Sequence, residues 1–136
     1  MRYMLDTNTL VYVLNARPQH QAVLERFNQY DPSVLCVSSI TLAELHFGIE
    51  KSRISGATQR KLERALATLD VAAFEHKAAS AYGVVRANLE SAGTPIGPLD
   101  TLIAAHALSL AVTLVTNNTR EFVRVLGLHV ENWIPA

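Results

Sequence analysis

Residues 101–119 read TLIAAHALSLAVTLVTNNT, a stretch without a single Lys, Arg, Asp or Glu, and its reading decides the fold. As a membrane span it is too short. Its apolar part, residues 102–115, is about 14 residues long and contains His106, Ser109 and Thr113, whereas a span needs about 20. The better reading is a buried helix over 99–110 that runs into a core strand over 112–115. TPIGP at 94–98 forms a rigid loop just before that helix.

The same alternation continues outward. Short apolar runs at 3–5, 34–37 and 128–130 are further strand candidates, too continuous to show a period of two. Helical patterns fall at 10–14, 20–30, 40–49, 57–69, 75–90 and 121–125. Ser38 or Ser39 opens the third of these, and Ala78, Tyr82, Val85 and Leu89 share one face of the fifth. Strands alternating with helices predict an α/β domain with a mainly parallel sheet. In such sheets, ligands sit beyond the carboxyl ends of the strands.

The 136 residues, 49% hydrophobic and 18% charged, suit a single globular domain over 1–136 and exclude a disordered or collagen-like chain. The lone Cys36 lies in an apolar run and reads as a core residue, consistent with a reducing cytoplasm. Asp6 interrupts the N-terminal apolar stretch, so no signal peptide is expected, and the protein is expected to be cytoplasmic with no membrane partner. Twelve Lys and Arg balance twelve Asp and Glu. A net charge of zero ordinarily argues against a nucleic-acid partner.

Several acids lie where an apolar run passes into a helix. Asp6 follows the first strand, Asp100 follows Pro98, Glu121 lies past the 112–115 strand, and Glu44 falls in the helix after Val37. Each also has a structural reading. Asp6 and Asp100 could cap helices, Thr41-Leu42-Ala43-Glu44 has capping-box spacing, and Glu121 could complement a helix dipole. Yet Asp6 and Asp100 sit among closely apolar neighbours, where a carboxylate is costly without a cation or donors. Carboxylates gathered at one sheet end repel each other, and a divalent ion resolves the conflict. Oxygen ligands without Cys favour Mg²⁺ or Mn²⁺ over zinc.

Four segments carry a specific resemblance: MLDTN (4–8), SSITLAELHFG (38–48), GPLDTLIAAHA (97–107) and VTNNTREF (115–122). In that order and spacing they resemble a PIN-domain ribonuclease of the VapC toxin type, over nearly the full chain. The resemblance implies a PIN-like three-layer α/β/α sandwich with a mainly parallel central sheet. It places the acids of one pocket on Asp6, Glu44 and Asp100. Many PIN domains carry an Asp where this chain has Asn118; a subgroup has NNxREF instead, which places the fourth acid on Glu121.

The implied activity is metal-dependent endoribonuclease cleavage by Mg²⁺ or Mn²⁺, with Asp6 and Asp100 as ligands and Glu44 and Glu121 acting directly or through water. Thr7, Asn8, Thr116, Asn117 and Asn118 are candidates to orient the carboxylates, water or phosphate. Products with 5′-phosphate and 3′-hydroxyl ends are implied, since water attacks. The resemblance further implies a toxin that inhibits translation and growth by cutting tRNA in the anticodon stem-loop, a homodimer, and a VapB-type antitoxin whose helix would suit an apolar groove and form a higher assembly with the toxin. Lys51, Arg53, Arg60, Lys61 and Arg64 form a basic run with Glu63 as its one acid; these, with Arg86 and Arg120, are candidate RNA contacts, a solvated helix face being the alternative. His46 and His106 are excluded as general bases, His106 as a core histidine in an Ala-rich helix.

Two rivals remain. A phosphoaspartyl phosphatase needs Asp-x-Asp where this chain has Asp6-Thr7-Asn8. A catalytically inactive PIN-fold module that binds RNA or protein is mildly favoured by Asn118 and opposed by Asp6, Glu44 and Asp100. The metal reading also answers the charge objection. Up to four of the twelve acids belong to a pocket whose cations are missing from the sequence arithmetic.

Overall fold

The apolar triplets of the sequence lie side by side. In the computed structural model, which describes residues 1–15, 20–52 and 56–135, β1 (Tyr3–Leu5), β2 (Leu35–Ser38), β3 (Asp70–Ala72), β4 (Thr113–Val115) and β5 (Val130–Glu131) form one sheet of order β3-β2-β1-β4-β5. Every neighbouring pair is parallel. Leu5 lies opposite both Val37 and Val115, so Asp6, Ser38 and Thr116 leave the same edge of the sheet. The chain builds outward from β1 to β3, then returns to β4 on the other side of β1. This switch point opens a crevice beside Asp6.

Side chains alternate across the central strands and divide the core. Tyr3, Leu5, Leu35, Val37 and Val115 face one cluster, with Leu10 and Val13 of α1 (Thr7–Asn15), Val23 of α2 (Gln21–Asn28), Leu45 of α3 (Ser39–Ser52) and Leu62 of α4 (Gly56–Thr68). Met4, Cys36 and Leu114 face the other, with Val85 and Leu89 of α5 (His76–Ser91), Ile103 and three alanines of α6 (Pro98–Leu110), and Phe122 of α7 (Thr119–Phe122). The result is the expected α/β/α sandwich. Cys36 is fully buried and its thiol is pushed up to about 11 by burial, as a core residue's should be. No described helix is long and apolar enough to cross a membrane.

The 101–119 stretch is the predicted helix and strand, joined at Ala111, whose left-handed backbone (φ 54°) turns α6 toward β4. Within α6, His106 is buried and packs edge-on against Phe74. The Ser38 hydroxyl accepts from the Ile40 N–H at 3.0 Å and is hydrogen-bonded to His106 Nδ1 at 2.7 Å. Burial lowers the His106 pKa, so the ring is neutral and structural. Ser38→Ala strands Nδ1 without a partner and should cost about 1–2 kcal/mol. In a melting experiment that is a fall of about 5 °C in Tm; an unchanged Tm would refute the bond's importance.

Among the differences from the sequence reading, three have a local cause. β3 was missed because Asp70-Val71-Ala72 is an exposed edge with no continuous apolar run. α7 begins at Thr119 and ends at Phe122, ahead of the expected 121–125. β5 starts at Val130, because Gly127 (φ 81°) and the Leu128 N–H bond to the Val125 carbonyl keep 125–128 in a turn.

Candidate active site

Asp6 has both the roles its sequence allowed. One carboxylate oxygen accepts from the Thr9 N–H at 2.9 Å, capping α1, while the other accepts from the Thr116 hydroxyl. Parallel pairing makes the second contact possible across 110 residues of sequence. Thr116 is completely buried, and its oxygen also accepts from the Asn118 N–H at 2.9 Å. A single hydroxyl thus ties the end of β1 to the segment leading into α7.

Glu44 does not close a capping box. α3 begins at Ser39, which places Thr41 inside the helix, fully buried and with its hydroxyl unpartnered. Glu44 instead accepts from the Thr7 hydroxyl at 2.8 Å, on the edge where Asp6 emerges. Asp100 is not an N-cap either. Gly97 occupies that position, with Pro98 first in α6, which leaves the Asp100 carboxylate free to face the crevice. There, Asn118 Nδ2 donates to Glu121 at 2.8 Å and reaches Asp100 at 3.5 Å. Asn118 and Glu121 therefore act together, with the amide bridging two acids.

The electrostatics show the other three acids acting on Asp100. The Asp100 carboxyl is pushed up to about 6, first by burial, then by its hydrogen bond with Glu121 and by the charges of Glu121, Glu44 and Asp6. The ion pairs found among the described residues, Arg26–Glu131 and Arg86–Glu90, involve none of these four. The donor set is all oxygen, and no three His, Cys, Asp or Glu side chains among the described residues are grouped tightly enough to hold an ion alone. An all-oxygen donor set is of the kind a hydrated Mg²⁺ or Mn²⁺ takes, with several waters kept and one or two carboxylates bound. It does not fit a zinc centre closed by protein ligands.

Of the other predicted residues, Thr7, Thr116 and Asn118 make contacts to the acids, whereas Asn8 and Asn117 are exposed, and Asn117 accepts from Asn132 at 3.3 Å. Lys51, Arg60, Lys61 and Arg64 are exposed on α3 and α4; Arg53 lies outside the described residues. Arg86 lies on α5 and Arg120 on α7, also exposed. His46 is exposed on α3.

Sequence reasoning expected an apolar groove but could not place it. A cavity of about 300 Å³, lined by Val11, Leu14, Leu45, Ile49 and Leu62, runs between α1, α3 and α4 and ends at Thr7 and Glu44. Its signal was the pair of apolar faces on α1 and α3, whose meeting depends on tertiary packing.

A family model described as PIN domain matches residues 3–127. The chain is 42% identical over 133 residues to a tRNA(fMet)-specific endonuclease VapC of Salmonella typhimurium, covering 98% of each chain. It is 44% identical over 134 residues to Ribonuclease VapC2 of Haemophilus influenzae, covering 98% of this chain and 99% of that one. Among solved structures, VapBC2 from Rickettsia felis bound to a DNA fragment from its promoter has a TM-score of 0.85 at 41% identity, covering 98% of this chain and 99% of that one. DNA-bound VapBC from Salmonella typhimurium has a TM-score of 0.85 at 43% identity, covering 98% of both.

Proposed function

The chain belongs to the PIN-domain family, with VapC ribonucleases as near relatives, and from that membership we propose an endoribonuclease toxin that uses Mg²⁺ or Mn²⁺ to hydrolyse tRNA. One observation carries the metal reading: burial and then the neighbouring Glu121, Glu44 and Asp6 raise the pKa of Asp100, and no ion pair among the described residues offsets these four acids. Asp6 and Asp100 would hold the ion, with Glu44 and Glu121 reaching it directly or through water. When bound, the ion supplies Lewis acidity toward the phosphate and toward water. Thr7 fixes Glu44 and Thr116 fixes Asp6, so the pocket is organised before substrate arrives. Attack by water rather than the ribose 2′-hydroxyl gives 5′-phosphate and 3′-hydroxyl ends.

A relative described as tRNA(fMet)-specific supports tRNA as the substrate class. A folded tRNA is read by shape and by the exposed bases of its loops, and we place the cut in the anticodon stem-loop. Such a substrate places the reaction in the cytoplasm. The partner is a VapB-type antitoxin, as in the solved VapBC complexes. The groove that ends at Glu44 would receive its helix and let it close the acidic pocket. A homodimer within the larger assembly completes the reading.

Purified protein should cleave tRNA in Mg²⁺ or Mn²⁺ and stop when EDTA is added. Sequencing of RNA ends after induction should show one cut in the anticodon stem-loop; random degradation of single strands would sink the tRNA proposal. Binding without cleavage in either ion would restore the inactive-module reading. Asn118→Ala removes the bridge between Asp100 and Glu121 and should raise the Mg²⁺ concentration needed for half-maximal rate about tenfold.

A further inference from the structure

We propose that the cleft between α5 and the 94–98 loop is a nucleotide subsite that seats one unstacked RNA base next to the cleaved bond, a proposal that rests on the endoribonuclease reading above. The cleft holds about 170 Å³. Its floor is the buried Leu89 with the half-buried Ile96, Pro98 stands exposed at its edge, and Tyr82, Arg86 and Glu90 supply polar groups at the rim. Its lining reaches the first turn of α6 at Pro98 and Thr101, which flank Asp100 in sequence. Pro98 lines the cleft, while Asp100, two residues on, faces the carboxylates. For a strand whose phosphate lies in the acidic pocket, the adjoining nucleotide is the group that can reach across this turn.

The rim is organised in advance. Arg86 Nε donates to Glu90 Oε1 at 2.8 Å and its Nη1 donates to the Tyr82 hydroxyl oxygen at 3.0 Å, so three side chains hold one another. Arg86 Nη2, the Tyr82 hydroxyl proton and Glu90 Oε2 make no contact among the described hydrogen bonds, leaving two donors and an acceptor at the rim. The opposite wall is also fixed. The Thr94 N–H donates to the Leu89 carbonyl at 2.9 Å, and Arg124 donates to the Pro95 carbonyl at 3.1 Å.

A base needs this combination: apolar or aromatic surface for its faces, with donors and an acceptor for its edge. A phosphate would use Arg86 but neither the apolar floor nor Glu90. Because Arg86 pairs with Glu90, the carboxylate is masked toward an anionic strand. An exposed ion pair kept for solubility would need neither a tyrosine nor a cleft beneath it.

The test couples protein variants to abasic RNA. Stem-loop oligonucleotides carrying the mapped cut site are prepared with each flanking nucleotide in turn made abasic. Cleavage by wild type, Tyr82→Ala and Glu90→Gln is then measured as kcat/KM. For wild type, one abasic position should cost about tenfold. The variants should show a comparable loss on intact RNA and little further loss at that position, the signature of a direct contact. Glu90→Gln, on the exposed rim, keeps the test open should Tyr82→Ala lose stability. An equal abasic penalty in wild type and both variants would overturn the subsite. So would variants that lose antitoxin affinity with cleavage unchanged, which would assign the cleft to the protein partner. A wild type that binds RNA but cleaves none would instead refute the nuclease reading, and the subsite with it.

Discussion

Asp6→Asn should reduce RNA cleavage about a thousandfold and leave the fold in place. The two effects separate because Asp6 has two tasks. Asn is as good an N-cap as Asp and can still accept from the Thr9 N–H, so α1 keeps its start. The Thr116 hydroxyl, which donates to the second oxygen, can reverse and accept from the amide, at about 1 kcal/mol or less. What disappears is a charged ligand in a pocket whose ion contributes several kcal/mol to the transition state, and each 1.4 kcal/mol is about tenfold in rate. Chemical denaturation should therefore place the variant within about 1–2 kcal/mol of wild type. Retained cleavage in the folded variant would remove Asp6 from the mechanism.

Asp100→Asn should be as inactive and yet more stable than wild type at neutral pH when metal is removed. The folded carboxyl titrates near 6, above its ordinary value of 3.8. Between those values the folded protein holds a proton that the unfolded chain has released, so stability falls as pH rises through this window. Above about pH 6 the penalty is complete. Its upper bound is roughly 3 kcal/mol at about 1.4 kcal/mol per pH unit, reduced to about 1–2 kcal/mol because the carboxyl is only partly buried and solvent screens its neighbours. Asn carries no such penalty. Denaturation of metal-free protein should show the variant ahead at pH 7–8 and level with wild type below pH 4. Adding Mg²⁺ should reverse the order by stabilising wild type preferentially. A variant less stable than wild type at pH 8 without metal would overturn the shared-pocket account.

The neighbouring acids differ in how far their roles could be read locally. Tyr3-Met4-Leu5 ending in Asp6 is a local pattern, and its strand and cap both follow from it. Thr41-x-x-Glu44 is equally local but misleads, because α3 starts two residues earlier and Glu44 bonds to Thr7 instead. Asn118 looked like a substitute for a missing acid. The packing makes it a bridge between Glu121 and Asp100, a role that depends on three separate segments of chain. β3 escaped because an edge strand paired on one side needs little apolar sequence.

By itself the sequence determined the alternation of strands and helices, the burial of much of residues 101–115, the identity of the acids and, through four ordered motifs, the family. These features arise from periodicity, composition and short-range chemistry. Only the tertiary structure decided which side chains meet. The parallel order β3-β2-β1-β4-β5 sets Leu5 beside Val115 and so brings Thr116 to Asp6. The first turn of α6 then sets Asp100 against Glu121, while its Pro98 and Thr101 line the Tyr82–Arg86–Glu90 cleft. Contacts spanning 37 and 110 residues are products of sheet order and helix packing, and no local pattern encodes them.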